Sequence, residues 1–168
     1  KVGMSQDGAS FIVKNLKLVT VKSAEDMLRE LETGKLHRKT GETNMNSKSS
    51  RSHAVFTISI HTKEKGSDSY KLGKLNFADL AGSECASETG TTGQRAKEAR
   101  VINQSLLALV LTIARIAKPG TLQPPYRDSE LTKLLKDSLA GTARTVLIAN
   151  CSPSLSSAES TKSTLNYA

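Results

Sequence analysis

Two short stretches hold residues whose types and spacing could handle a phosphate. Residues 75–79, LNFAD, are an apolar run that delivers Asp79, and Leu80, Ala81 and Gly82 follow. A carboxylate at the carboxyl end of a strand can hold a magnesium ion through water, because that hard cation prefers oxygen ligands. Three residues on, a glycine lets its backbone N–H approach a terminal phosphate closely. Sensing of a γ-phosphate by a nucleotide switch uses this DxxG logic. Any strand-to-loop exit can carry the same four residues. The second stretch, Asn46-Ser47-Lys48-Ser49-Ser50-Arg51-Ser52-His53, clusters hydroxyls, a guanidinium and an imidazole just before a strand-like run. Hydroxyls can ligate magnesium and orient an attacking water. An ordinary polar turn with N-capping serines would draw on the same residue types.

The elements that must position these stretches are partly legible. Ala9–Val21 alternates apolar and polar residues and predicts an extended strand. Ser23 predicts an N-cap, and Met27, Leu28 and Leu31 fall on one helical face; Gly34 ends or interrupts that helix. Residues 40–53 read as a loop, since their Ser, Thr and Asn side chains compete for backbone hydrogen bonds. Residues 54–60 and 71–79 predict an antiparallel hairpin across a polar turn. Residues 81–93 form a loop of small punctuating residues. A long helix runs from about Gln94 to Ala117, with Val101, Ile102, Leu106, Leu109, Ile113 and Ile116 at helical spacing. Asp128 predicts an N-cap for a further helix with Leu131, Leu134, Leu135 and Leu139 on one side, and Gly141 suits its C′ position. Thr145–Ala149 predicts a short buried strand, and the last dozen residues a final helix. Strands alternating with helices argue an α/β layer architecture.

Composition removes several classes. The 168 residues are 37% hydrophobic and 24% charged with 11 Gly and 4 Pro, which excludes collagen, low-complexity disorder and a coiled-coil rod. No apolar run approaches the roughly 18 residues of a bilayer span. The formal charge of +8 favours an acidic partner. Cys85 and Cys151 are too few for a disulfide scaffold and lack metal-ligand spacing, and His37, His53 and His61 form no HExxH-type pair. No nucleic-acid partner is expected, since aromatics are 4% of the chain and offer no stacking platform. No membrane partner is expected either.

Taken together and in order, the motifs resemble a kinesin motor domain. NxxSSRSH at 46–53 and DLAGSE at 79–84 come first. INQSL at 102–106 resembles the INxSL of the kinesin relay helix. PYRDS at 125–129 with LTKLL at 131–135 resembles VPYRDSKLTRLL. SLAG at 138–141 resembles DSLGG, and STLNYA at 163–168 resembles the STLxFA that closes the motor.

The resemblance implies the C-terminal part of the kinesin-type P-loop NTPase fold, with a mixed central sheet flanked by helices. Residues 46–53 match switch I, and 79–84 match switch II, followed by the relay helix to about residue 117. The segment 125–137 would face the microtubule through Tyr126, Arg127, Lys133 and Lys136. Asn46, Ser49, Ser50, Asp79 and Gly82 would line the ATP site. Ser49 and Asp79 would serve Mg2+, Asp79 through water, while Gly82 meets the γ-phosphate. Arg51 and Glu84 would form the ion pair that closes the site. Implied with them are ATP hydrolysis coupled to movement along microtubules, a place on the cytoplasmic cytoskeleton, and a coiled coil elsewhere in the protein. Tubulin's acidic surface would account for the positive charge.

Departures from the family pattern set further expectations. The phosphate loop GxxxxGK[ST] does not occur in the sequence, so the N-terminal half of the motor and the neck linker are expected to lie outside it. The chain alone is then expected to be inactive. Glu130 stands where the family usually has Lys, while Val110 and Ala140 stand where it usually has Gly. A motor-like module that binds microtubules without hydrolysis is the alternative. A GTPase-like switch would need an NKxD-type guanine reader, which is missing.

Overall fold

Alternating β-branched and polar residues in Ala54–Lys63 build a strand, β3, that folds back on β4, Tyr70–Asp79. The two pair antiparallel, in unbroken register from Ala54 opposite Asp79 to Lys63 opposite Tyr70. The computed structural model describes residues 2–5, 11–39, 52–66, 68–82, 94–118, 120, 123–141 and 143–167. These fall into two units, Lys17–Gly82 and the combination of Lys1–Leu16 with Ser83–Ala168.

In the first unit, the hairpin follows α1, Ala24–Lys39. Ser23 Oγ accepts from the Asp26 N–H at 3.1 Å, as the sequence predicts for its cap. Gly34 neither ends nor interrupts this helix. A mid-helix glycine costs about 1 kcal/mol, and local side-chain bonds offset part of that. Lys35 Nζ meets Glu32 Oε1 at 2.7 Å, and Thr33 Oγ1 donates to the Arg29 carbonyl at 2.9 Å. The hairpin is longer than the alternation suggests, because Lys63 and Tyr70 extend the ladder and the Lys63 ammonium lies 5.1 Å over the Tyr70 ring. Ile60, Leu72, Leu75 and Phe77 on it are exposed.

Of the strand expected over Ala9–Val21, the described residues 11–21 form a strand only at Phe11–Val13, here β2. A strand persists only beside a partner, and the partner is the three-residue β1, Val2–Met4, which no sequence feature announced. Asn15 then takes the left-handed conformation, φ 59°, and turns the chain out of the ladder.

The second unit is organised by α2, Gln94–Ile116. It buries Leu106, Ala108, Leu109 and Thr112. Thr112 Oγ1 donates to the Ala108 carbonyl at 2.7 Å, which satisfies a hydroxyl with no solvent access. Val101, Ile113 and Ile116 are exposed despite their helical spacing. This helix packs on α3, Glu130–Leu134, which in turn meets β1 and β2. Leu131, Thr132 and Leu135 complete the core.

Ser129, not Asp128, caps α3. Its Oγ accepts from the Thr132 N–H at 3.0 Å, and Thr132 Oγ1 accepts from the Ser129 N–H at 3.1 Å. This reciprocal box needs an oxygen three residues after the cap. Ser129 has Thr132 there, whereas Asp128 would have Leu131. The single helix expected to Gly141 is split, because Leu135 leaves helical geometry at φ −88°, ψ 1° before α4, Lys136–Leu139. Gly141 does take the expected positive φ of 86°.

Thr145–Ala149 has no regular secondary structure and is not a buried strand. Among the described residues it has no ladder partner, and Val146 and Ile148 stand 83% and 79% exposed. A short 3-10 turn, Leu155–Ser157, leads into α5, Ala158–Tyr167, the expected final helix. Among the described residues, no helix is long and apolar enough to cross a membrane.

Candidate functional site

Asp79 is the last residue of β4 and pairs across the ladder with Ala54, the first of β3. The strand exit that carries Asp79 to Gly82 therefore lies beside Ser52 and His53. The sheet alone sets this, because the hairpin register brings the start of β3 and the end of β4 to one end.

Arg38, in the last turn of α1, ties that end together. Its Nη1 meets Asp79 Oδ2 at 2.5 Å, its Nη2 donates to the Ser52 carbonyl at 2.6 Å, and its Nε donates to Ser52 Oγ at 3.3 Å. A planar guanidinium suits such a fork, and a point-charge ammonium does not. Sequence reasoning missed Arg38. Its helix also carries Arg29, Lys35 and Lys39, so nothing in the spacing singled it out.

Continuing the hairpin register by two residues would place Ser52 opposite Ala81. The Ser52 carbonyl accepts from Arg38, and the Ala81 N–H donates to His53 Nδ1 at 3.0 Å. Ala81 is only 4% exposed, so an unpaired N–H there would cost about 1–3 kcal/mol. The imidazole must be neutral at Nδ1 to accept this bond. Burial, then the neighbouring Arg38 charge, push its pKa below the ordinary 6.5, with Asp79 opposing them.

Asp79 fits the role of an outer oxygen donor. Its side chain is 71% exposed beyond the Arg38 contact, so the carboxylate can accept from a metal-bound water. Among the described residues, no cluster of three or more His, Cys, Asp or Glu could hold a metal directly. Gly82 is half-buried at the end of this exit. Asn46, Ser49, Ser50, Arg51 and Glu84 lie outside the described residues. Cys85 does too, while Cys151 is an exposed free thiol.

The other predicted site residues gather around α3 in the second unit. Tyr126 is half-buried, its carbonyl accepts from Thr132 Oγ1 at 3.0 Å, and burial raises its phenol pKa. The exposed Arg127 reaches Met4 Sδ at 3.8 Å. Lys133 Nζ is held by Glu130 Oε1 at 2.7 Å, and Lys136 Nζ lies 5.6 Å over the Phe11 ring. Glu130 Oε2 also accepts from the Val2 N–H at 2.7 Å. Lys133 then Val2 hold its pKa below the ordinary 4.5. The split at Leu135 puts Lys133 and Lys136 on separate short helices.

An acidic strand exit braced by an arginine, in a protein of both strands and helices, is an arrangement that a nucleotide-switch α/β protein can use. Comparison with known proteins narrows this. The kinesin motor domain family profile matches residues 1–168, and the chain belongs to that family. It is 45% identical over 161 residues to the kinesin-like protein Klp68D of Drosophila melanogaster, covering 96% of this chain and 20% of that protein. Identity is also 45%, over 171 residues, with the kinesin-like protein KIN-5B of Arabidopsis thaliana, covering 99% and 16%. Among solved structures, a fast kinesin described for its ATPase mechanism and interactions with microtubules superposes with TM-score 0.86 at 41% identity. The match takes in 99% of this chain and 47% of that one. A KIF14 segment with ADP in complex with a microtubule gives TM-score 0.83 at 39% identity, over 99% and 48%. The chain thus spans a fifth or less of these curated relatives and about half of the solved motors. Its fold class is that of the kinesin motor, a P-loop NTPase fold. The family as a whole binds nucleotide and hydrolyses ATP.

Proposed function

We propose that this chain is the switch-bearing, C-terminal part of a microtubule-based motor that couples ATP hydrolysis to microtubule binding and movement. The observation that carries the reading is that Asp79, at one end of the hairpin, lies beside Ser52 and His53, the described residues of the other motif. Residues 46–53 act as switch I and 79–84 as switch II, with the helix that follows as relay. ATP would be lined by Asn46, Ser49, Ser50, Asp79 and Gly82. Ser49 and Asp79 would hold Mg2+, Asp79 through a water, and the ion would supply charge neutralisation at the phosphates. Gly82 offers its N–H to the γ-phosphate. Phosphoryl transfer depends mainly on positioning and charge stabilisation, so the lytic water needs placing more than deprotonating. Nucleotide affinity would rest mainly on a phosphate loop outside these 168 residues. Tubulin would be met by Tyr126, Arg127, Lys133 and Lys136 in segment 125–137. The protein would then reside on the microtubule cytoskeleton.

The test is single-turnover ATP hydrolysis by the full-length protein with and without microtubules. Stimulation by microtubules is expected. Arg51→Ala and Glu84→Ala should each slow hydrolysis about 100-fold or more while changing ATP affinity little. The double mutant should lose no more than either single one, since both remove one closed state. A loss equal to the sum of the two would show that the residues act independently.

A further inference from the structure

We infer that His53 is a positioning residue for the reaction proposed above, acting as the hydrogen-bond acceptor that fixes the Leu80–Ala81 peptide, the one just before the peptide that carries the Gly82 N–H. The inference rests on that functional reading for its consequence, but its structural basis is independent of it. At the last ladder pair, Ala54 faces Asp79. Beyond it the ladder stops, and the Ser52 carbonyl accepts from Arg38 Nη2 at 2.6 Å. Ala81 is buried and its N–H still needs an acceptor. The His53 imidazole supplies one at 3.0 Å. A side chain rooted one residue before β3 thus supplies the acceptor where the backbone ladder ends.

The consequence falls on Gly82. The Gly82 N–H lies in the planar 81–82 peptide, and the direction of that plane follows from ψ of Ala81 and the placement of the peptide before it. Anchoring the preceding residue restricts the conformations of the 81–82 peptide. Asp79 is held by Arg38 on one side of this stretch and Ala81 by His53 on the other. A donor meant for a transferring phosphoryl group works only when preorganised. His53 therefore acts through the backbone and touches no reacting atom.

Two variants of the full-length protein test this. His53→Ala removes the acceptor. His53→Asn keeps one, because the Asn Oδ1 branches from the same carbon position as the imidazole Nδ1. Loss of one buried acceptor predicts about a tenfold fall in kcat for ATP in His53→Ala, with KM changed less than about twofold, and recovery of most of that rate in His53→Asn. Amide hydrogen exchange at Ala81 is read in parallel and should speed up about tenfold or more in His53→Ala but not in His53→Asn. Equal impairment of the two variants, or unchanged Ala81 exchange in His53→Ala, would overturn the acceptor role. If the full-length protein hydrolyses no ATP at all, the functional reading fails, and Ala81 exchange still decides what His53 does.

Discussion

The hairpin end and the α3 segment both gather charged groups, but they hold them differently. At the hairpin end, the partners are far apart in sequence: Arg38 with Asp79, and His53 with the Ala81 N–H. Each bond there crosses between elements, and Ala81 and the Arg38 guanidinium are largely shielded from water. Around α3, Lys133 is paired with Glu130 one helical turn away and the carboxylate is exposed. Local, solvated pairs of this kind contribute a few tenths of a kcal/mol, roughly. The first arrangement holds a backbone in place. The second sets how much positive charge a surface presents.

Removing Arg38 should break this contrast most sharply. Arg38→Ala frees the Asp79 carboxylate and leaves the Ser52 carbonyl without its donor. Native-state hydrogen exchange at the Ala54 and Ala81 amides should report local opening easier by about 2 kcal/mol, discounted for the exposure of Asp79. Arg38→Lys should recover less than half, since an ammonium cannot bridge both acceptors as the fork does. The corresponding removal of Lys133 should change local exchange by less than about 0.5 kcal/mol. Equal effects at the two places would erase the distinction.

Glu130→Lys tests the other side. It releases Lys133 from its partner and adds a cation on the segment proposed to meet tubulin. Microtubule cosedimentation of the full-length protein should tighten about fivefold at low salt and much less near 0.2 M salt, as screening shortens the reach of exposed charges. Glu130→Gln keeps an acceptor for the Val2 N–H and should give a smaller gain. Affinity that does not change would argue that this face does not meet tubulin.

Acid should separate the two regions by a smaller effect. His53 is neutral in the fold with its pKa below the ordinary 6.5. Its contribution is present above 6.5 and is lost as pH falls through the lowered folded value. Glu130 is also lowered, from 4.5, so its contribution persists until pH falls below that value. Exchange at Ala81, corrected for its intrinsic pH dependence, should therefore lose protection at a higher pH than exchange at Val2. The reverse order would contradict the assignment of His53 as a neutral acceptor.

Much of this was legible from short-range pattern. The alternation in 54–60 and 71–79 announced the hairpin. The apolar spacing of 94–117 announced the long helix, though it put Val101 and Ile116 on the buried side when both are exposed. The ordered motifs gave the family. Thr145–Ala149 failed as a strand because apolar, β-branched residues specify a strand only where another strand lies alongside. Asp128 failed as a cap because its third neighbour is Leu131 and offers no oxygen to complete the box. Arg38 was invisible because one arginine on a helix of several cations carries no local mark.

The sequence by itself determined what depends on neighbours along the chain: strand alternation, helical periodicity, the positive φ at Gly141, and the chemical types at 46–53 and 79–84. Only the tertiary structure decided which arginine braces Asp79, which atom accepts the Ala81 N–H, and that Lys133 and Lys136 each have a partner. The reason is physical. Periodicity follows from backbone geometry that repeats every two or 3.6 residues, whereas an ion pair between Arg38 and Asp79 exists only once a helix end and a strand end have been brought within hydrogen-bond reach.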